Sequence, residues 1–230
     1  MKKEEKKKYY LYEMNVTILS IISIILLCFV FGITYIINKD VIFGSLKILV
    51  DKVELFLLLY FAYMTLHELL HSAAYVIYGG KFNKIVYGIA LEIGVAYCLC
   101  KQNISKNNIL HSLLYPFIFI GLITYFIALI FDLPMLLLLS IFNISGCSGD
   151  FIMFMFISKL KNIEFSEMDN PVAFAIYTNE DISKKSHFGL KYKGEVEQIE
   201  RNDLRKVTVS KKSMYAILVL VVLLTILHFL

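Results

Sequence analysis

A long apolar segment that carries three ionisable side chains constrains the fold of this chain more than any other feature. The segment spans residues 53–78 and is long enough to cross a bilayer, which takes about 20 apolar residues. It contains His67, Glu68 and His71 in the pattern His-Glu-x-x-His. Because ionisable groups at the depth of a bilayer core are costly, we interpret this pattern as a functional site.

The composition predicts a polytopic membrane protein. Hydrophobic residues make up 58% of the 230 positions, whereas soluble domains contain roughly 45–50%. Four apolar segments predict transmembrane helices that form a core over residues 14–160, and a shorter segment predicts a fifth; they are 14–37, 53–78, 108–131, 134–160 and 213–230. The expected fold class is therefore an all-α polytopic membrane protein with about five transmembrane helices.

The segment 81–100 has a different pattern from the helices around it. β-branched and aromatic residues partly alternate with polar ones there, and Gly88 and Gly94 are interspersed. This pattern predicts a small membrane-associated β-hairpin between the second and third helices. Two polar stretches complete the organisation, a basic N-terminus at 1–13 and a polar loop at 161–212.

The distribution of positive charge predicts the orientation. All but three of the 23 lysines and arginines lie in the N-terminus, in the hairpin region or between residues 159 and 212. Loops rich in these residues stay on the cytoplasmic side of a plasma membrane, so we predict that these segments and the His-Glu-x-x-His site face the cytoplasm. We attribute the mildly basic charge of the 161–212 loop to this bias. The lipid bilayer is therefore an expected partner, and nucleic acid is not.

The spacing of the two histidines predicts a zinc site. On a helix, His67 and His71 point in nearly the same direction and can share one Zn²⁺, while Glu68 can serve as general base for a zinc-bound water. A catalytic zinc usually has three protein ligands. Asp150 is the best third candidate because it lies in an otherwise apolar helix, where a cation removes the cost of burying its carboxylate.

Two further residues are candidates for substrate binding. Asn143 precedes Asp150 by two helical turns, so both lie on one face of the predicted fourth helix; Asn143 either contacts substrate or bridges helices as a structural amide. Tyr97 lies along a strand edge to which an extended substrate could add, although a packing role is the simpler alternative. The cysteines are interpreted as structural, and three histidines are not expected to bind metal: His111, His187 and His228.

These motifs resemble a known family. From about residue 66 to residue 177 the chain is similar to the small bacterial membrane proteins described as putative zincin peptidases, relatives of the site-2 protease group of intramembrane metalloproteases. The resemblance rests on these sequences: His67-Glu-Leu-Leu-His71 followed by Gly79-Gly80-Lys81, Ala96-Tyr97-Cys98, Pro116, and the run from Asn143 to Asp150. Unlike the site-2 pattern, this last run contains no proline, is one residue shorter and ends in Ser-Gly-Asp.

The resemblance implies roles for individual residues. It implies that His67, His71 and Asp150 bind Zn²⁺. It also implies that Glu68 is the base and that Asn143 contacts the scissile peptide or its oxyanion.

The motif and the resemblance together predict a zinc-dependent intramembrane endopeptidase of a bacterial plasma membrane. Its substrates are expected to be membrane-embedded or membrane-associated peptides or proteins. Two alternatives stay open, namely a non-catalytic accessory or immunity protein with a structural metal site, and an ion or proton transporter. Glu68 separates the first alternative from a peptidase, because a structural zinc does not need a base.

Overall fold

The structure is a computed structural model that describes residues 7–90, 95–168, 172–185 and 187–199. The predicted helix at 213–230 and His228 lie outside the described residues. So do the first six residues and the turn of the predicted hairpin.

Three helical segments of the described chain are long and apolar enough to cross a membrane, in agreement with the first three predicted helices. They are α1 (Val16–Ile37), α3 (Val53–Ile77) and the segment Lys106–Ile130. The last consists of α4 (Lys106–Pro116), a π-helical stretch (Phe117–Ile123) and α5 (Thr124–Ile130). A short helix, α2 (Lys39–Asp51), connects α1 to α3.

Local sequence signals account for where these helices begin and end. The Asn15 side chain accepts a hydrogen bond from the backbone N–H of Ile18 at 3.2 Å and so caps α1. At the end of α3, Gly79 adopts a φ of +93°, and the Gly80 N–H donates to the Tyr75 carbonyl at 2.7 Å. This left-handed glycine ends the helix, as the Gly-Gly pair predicts.

The predicted fourth helix is broken. Helices α6 (Pro134–Gly146) and α7 (Ser148–Ser158) meet at Cys147 with a bend of 41°, and together they form a fourth segment that could cross a membrane. The break falls among serines and glycines, which have a low helix propensity. Asn143 and Asp150 therefore lie on different helices, so the prediction of one continuous helix is wrong, although both side chains reach His67.

The predicted hairpin is present as β2 (Ile85–Ala90) and β3 (Val95–Cys100), which pair antiparallel. A second, five-stranded antiparallel sheet has the order β4-β5-β6-β1-β7. Its strands are β1 (Lys8–Met14), β4 (Ile104–Ser105), β5 (Glu164–Glu167), β6 (Ala173–Thr178) and β7 (Leu190–Val196). The expectation of an all-α protein whose only strands form the hairpin is therefore corrected, although the fold is mostly helical.

The five-stranded sheet joins segments that are far apart in the sequence. Strand β1, in the predicted basic N-terminus, pairs with β6 and β7, which lie in the predicted polar loop. Tyr12 and Phe174 of the sheet pack with Ile109 of α4 and Phe156 of α7 in one buried cluster. The sheet thus lies against the helix ends, and it puts these segments on one side of the helices. Which side of the membrane this is stays a prediction.

Candidate metal centre and active site

The three predicted metal ligands come together in the structure. The Nε2 atoms of His67 and His71 lie 3.1 Å apart. The Asp150 carboxylate lies 3.4 Å from His67 Nε2 through Oδ2 and 3.6 Å from His71 Nε2 through Oδ1. One ligand atom from each residue falls within 4.8 Å of the others. Helix α3 supplies both imidazoles, and the first turn of α7 supplies the carboxylate.

This arrangement fits a zinc ion. A Zn–N bond of about 2.0–2.1 Å in a tetrahedral site separates neighbouring ligand atoms by about 3.3 Å, close to the spacings seen here. His71 and Asp150 are only 6% and 9% exposed, so their pairing is shielded from water. Two imidazoles and one carboxylate also form the set that leaves a fourth position open in catalytic zinc sites. These three side chains would hold the ion.

The break between α6 and α7 favours a carboxylate at Asp150. Since α7 starts at Ser148, Asp150 lies in the first turn of a new helix. The unpaired N–H groups of a first turn stabilise negative charge. A continuous helix would offer no such stabilisation at this position.

Asn143 orients His67. With Nε2 turned toward the ligand cluster, His67 Nδ1 carries the proton and donates to Asn143 Oδ1 at 2.8 Å. The Asn143 amide donates in turn to the Pro116 carbonyl at 3.2 Å. Such outer partners fix the tautomer and the ring orientation of a metal-binding histidine. The structure therefore gives Asn143 an orienting role, and its substrate contact stays a prediction.

His71 is oriented by a backbone carbonyl. Its Nδ1 donates to the carbonyl of Ser112 on α4 at 3.0 Å. In a regular helix that carbonyl accepts from the N–H four residues on, but this residue is Pro116, which has no N–H. Proline thus frees the acceptor that His71 uses.

The π-helical stretch lies close to α6, and this brings the Asn143 amide within hydrogen-bond distance of the Pro116 carbonyl. Gly121 lies in the π-helical stretch, and a Cβ there would be 3.1 Å from Ile144 Cγ1 and 3.4 Å from Asn143 Nδ2. A larger residue would push the stretch away from α6 and from Asn143. Tyr63 of α3 donates its hydroxyl to the Ile120 carbonyl at 2.8 Å and so attaches α3 to the same stretch.

Glu68 is half-buried next to the ligands and interacts electrostatically with His67, His71 and Asp150. The backbone amide of Cys98 in β3 is directed at its carboxylate. Glu68 also lines two cavities, and His67 borders both of them. Its carboxylate is therefore placed between the metal ligands and space that a substrate can occupy.

The larger cavity has a volume of about 380 Å³ and lies between α1, α3 and α6. Its walls are mainly apolar, with Leu19, Tyr60 and Phe142 among them, and Asn143 also borders it. The smaller cavity has a volume of about 170 Å³ and is bordered by the metal ligands, Glu68, Tyr97 and Glu167.

The structure places Tyr97 in the wall of the smaller cavity. Its ring covers Gly88, the residue opposite it in the hairpin, and leaves no room for a Cβ at that position. The structure thus shows that Tyr97 packs against Gly88 of the hairpin, and its contact with substrate stays a prediction.

His111 and His187 are the other histidines of the described chain, and neither belongs to the ligand cluster. His111 stacks on Tyr78 with ring centroids 4.9 Å apart, and His187 Nδ1 bonds to the Phe188 carbonyl at 3.0 Å. Burial raises the pKa of the Cys98 thiol. The roles predicted for these histidines and cysteines stay predictions.

The sequence patterns missed three residues near the site, namely Ser112, Tyr75 and Glu167. Ser112 acts through its backbone carbonyl, for which the only signal is a proline four residues later. Tyr75 follows His71 by one helical turn, and this spacing was a usable signal. Glu167 ends a strand of only four residues, Glu164–Glu167, whose sequence does not alternate between apolar and polar residues.

Comparison with known proteins agrees with this geometry. Residues 60–165 match the family model described as a putative zincin peptidase. The matched range contains Glu68, both histidines and Asp150. No curated protein and no solved structure matches the chain. The zincin family implies Zn²⁺, which the His-His-Asp cluster fits. Over residues 60–165, somewhat less than half of its length, the chain is thus similar to the putative zincin peptidase family.

Proposed function

We propose that this protein is a zinc-dependent endopeptidase that cleaves peptide bonds within or at the surface of a membrane. The observation that carries the proposal is the position of Glu68, whose carboxylate lies beside a three-ligand metal cluster and lines both neighbouring cavities. The zincin family match supports a zinc peptidase. The apolar helices that carry every ligand support action at a membrane.

The residues of the chain divide the chemistry between them. Zn²⁺ held by His67, His71 and Asp150 would acidify a water molecule and polarise the scissile carbonyl. Glu68 accepts the proton of the attacking water and delivers it to the leaving nitrogen. Its position next to the ligands, with the Cys98 amide directed at it, keeps the carboxylate in place for both transfers.

The larger cavity supports entry of substrate from the bilayer. Helix α1 forms one of its walls, and Ile24, which borders the cavity from α1, is 60% exposed, so the cavity is open beside this helix. Ser20 and Ser23 of α1 also border this cavity, and because their hydroxyls donate to backbone carbonyls, their oxygens could only accept hydrogen bonds from an unwound peptide. A membrane helix keeps its amides bonded internally, so a substrate segment must unwind before attack. We propose that it does so here, beside His67 and Glu68.

The proposed orientation places the site near the cytoplasmic face of a bacterial plasma membrane. The concentration of lysine and arginine in the N-terminus, the hairpin region and the 161–212 segment supports this orientation. The five-stranded sheet, which joins parts of these segments on one side of the helices, supports it as well.

Substitution of the base tests the proposal. Glu68→Gln removes the proton acceptor but none of the metal ligands, so cleavage of a fluorescently labelled, unfolded casein should stop while zinc content stays unchanged. His111→Ala is the matched control, because His111 lies in α4 outside the ligand cluster, and it should cleave like the wild type. Cleavage by the Gln variant at the wild-type rate would refute Glu68 as base and would favour a structural metal site.

A further inference from the structure

The hairpin strand next to the active site turns alternate backbone amides away from its partner strand. The Lys101 N–H donates to the Lys84 carbonyl at 2.8 Å, just beyond the ends of β3 and β2. Because bonding alternates along an antiparallel pair, Leu99 and Tyr97 bond toward β2, while Cys98 and Cys100 direct their N–H groups to the opposite edge. This edge of β3 faces α3.

Two carboxylates meet these amides. The Cys100 N–H donates to one oxygen of Glu167, and the Cys98 N–H is directed at Glu68. The other oxygen of Glu167 accepts a hydrogen bond from the Tyr75 hydroxyl at 2.7 Å. Glu167 therefore bridges the strand that contacts the base and the helix that carries the base.

The position of Tyr75 connects this bridge to the metal ligands. Tyr75 lies one helical turn beyond His71 on α3, is 4% exposed and belongs to the buried cluster that joins α3 to the sheet. Glu167 lies at the end of β5 and borders the same small cavity as Glu68 and Asp150. One side chain thus fixes three elements, β5, β3 and α3, around the reaction site.

We propose that Glu167 is a positioning residue that holds β3 against α3 and so keeps the Cys98 edge of β3 beside Glu68. Without this bridge, β3 is free to move away from α3 and from the Glu68 side chain. This inference rests on the proposed peptidase function for its catalytic consequence. Its structural part, the placement of β3, is independent of that function.

Amide hydrogen exchange tests the placement in detergent-purified full-length protein. Glu167→Ala removes the acceptor of the Cys100 N–H and the link from β3 to Tyr75, so exchange at Cys98 and Cys100 should accelerate by about tenfold. Exchange in β1 and β6 should not change. Glu164→Ala is the matched control, because Glu164 starts the same strand but bonds to Asn103 at 2.9 Å. It should leave β3 exchange as in the wild type.

Kinetics and metal content test the catalytic consequence. With labelled casein as substrate, Glu167→Ala should lower kcat by about tenfold, leave KM nearly unchanged and retain its zinc. Glu167→Gln keeps one oxygen acceptor and should recover part of kcat. It also serves as the test variant if Glu167→Ala does not fold.

The outcomes separate the two proposals. Unchanged exchange in β3 of Glu167→Ala would overturn the inference. Faster exchange with an unchanged kcat would also overturn it, and so would loss of zinc from Glu167→Gln. A wild-type protein that binds zinc but does not cleave would count against the peptidase function alone. In that case, exchange at Cys98 and Cys100 still decides whether Glu167 places β3.

Discussion

His71 and Ser112 are hydrogen-bonded to each other twice. The His71 Nδ1–H donates to the Ser112 carbonyl at 3.0 Å, and the Ser112 hydroxyl donates to the His71 carbonyl at 3.4 Å. Both residues are buried, so the pair fixes the ligand helix α3 against α4 and leaves His71 Nε2 directed at the other ligands. A metal ligand here is oriented by the main chain of a neighbouring helix.

Pro116 makes this arrangement possible, and its replacement should weaken zinc binding. Pro116→Ala restores an N–H that competes with His71 for the Ser112 carbonyl. Loss of an outer partner typically lowers metal affinity by about 10- to 100-fold, and we expect a decrease in this range in a chelator competition assay. Pro134→Ala is the matched control, because Pro134 starts α6, where a missing N–H has no helical acceptor. Equal affinities in the two variants would contradict this account.

Asn143→Ala should also weaken zinc binding, because His67 Nδ1 loses its acceptor. We expect a decrease of about 10- to 100-fold, again measured by chelator competition. A residue that only contacts substrate would change KM or kcat and leave the zinc affinity as it is. An unchanged zinc affinity in Asn143→Ala would therefore contradict the orienting role and favour a substrate contact for Asn143.

The packing of Tyr97 on Gly88 predicts a coupling between the two positions. Gly88→Ala forces a methyl group into the Tyr97 ring, so the variant should lose about 1–3 kcal/mol of unfolding free energy. In a Tyr97→Ala background the same substitution should cost little, since the space is then open. A double-mutant cycle from denaturant unfolding in detergent measures the coupling. Additive effects would show that the ring does not lie over Gly88 in solution.

Glu167 should give the zinc-free protein a characteristic pH dependence. Burial raises the pKa of this carboxyl from 4.5 to about 7, opposed by its bonds to Cys100 and Tyr75 and by His71, and reinforced by Glu68. The folded state then holds a proton that the unfolded state releases above pH 4.5. The free energy of unfolding should therefore fall as the pH rises through this window, by at most about 3 kcal/mol.

Thermal unfolding of chelator-treated protein between pH 5 and about pH 8 measures this contribution. Glu167→Gln lacks the titrating group and should have a flatter profile than the wild type. The histidines titrate in both proteins, so their effect cancels in the comparison. A wild-type midpoint that rises with pH relative to the variant would contradict the assignment.

The residues that hold the metal could be predicted because each has a local signal. His67 and His71 are separated by one helical turn, and Asp150 is a carboxylate in an apolar helix. The spans followed from hydropathy in the same way. The bend at Cys147 was harder to predict. Serine and glycine lower the stability of a helix, but their positions do not determine at which residue it breaks. The contacts of Asn143 agree with the alternative in which its amide bridges helices, because it links His67 to the Pro116 carbonyl.

The five-stranded sheet could not be predicted from local patterns. Strand β1 pairs with β6 and β7, far away in the sequence, and β4 contains only two residues. Lysines and glutamates in these strands lower the mean hydropathy of the segments. The alternate residues Tyr10, Tyr12 and Met14 of β1 are nevertheless buried. Glu167 was missed with the sheet, because a backbone amide of another strand is its partner.

Zinc content per chain, determined by elemental analysis of detergent-purified protein, tests the central claim most directly. The wild type and Glu68→Gln should each contain about one zinc per chain, since three protein ligands complete a catalytic site. Asp150→Ala should lose most of it, because only His67 and His71 then remain as ligands. Wild-type protein that is folded but contains no zinc, or an Asp150→Ala variant that keeps the wild-type content, would contradict the three-ligand site.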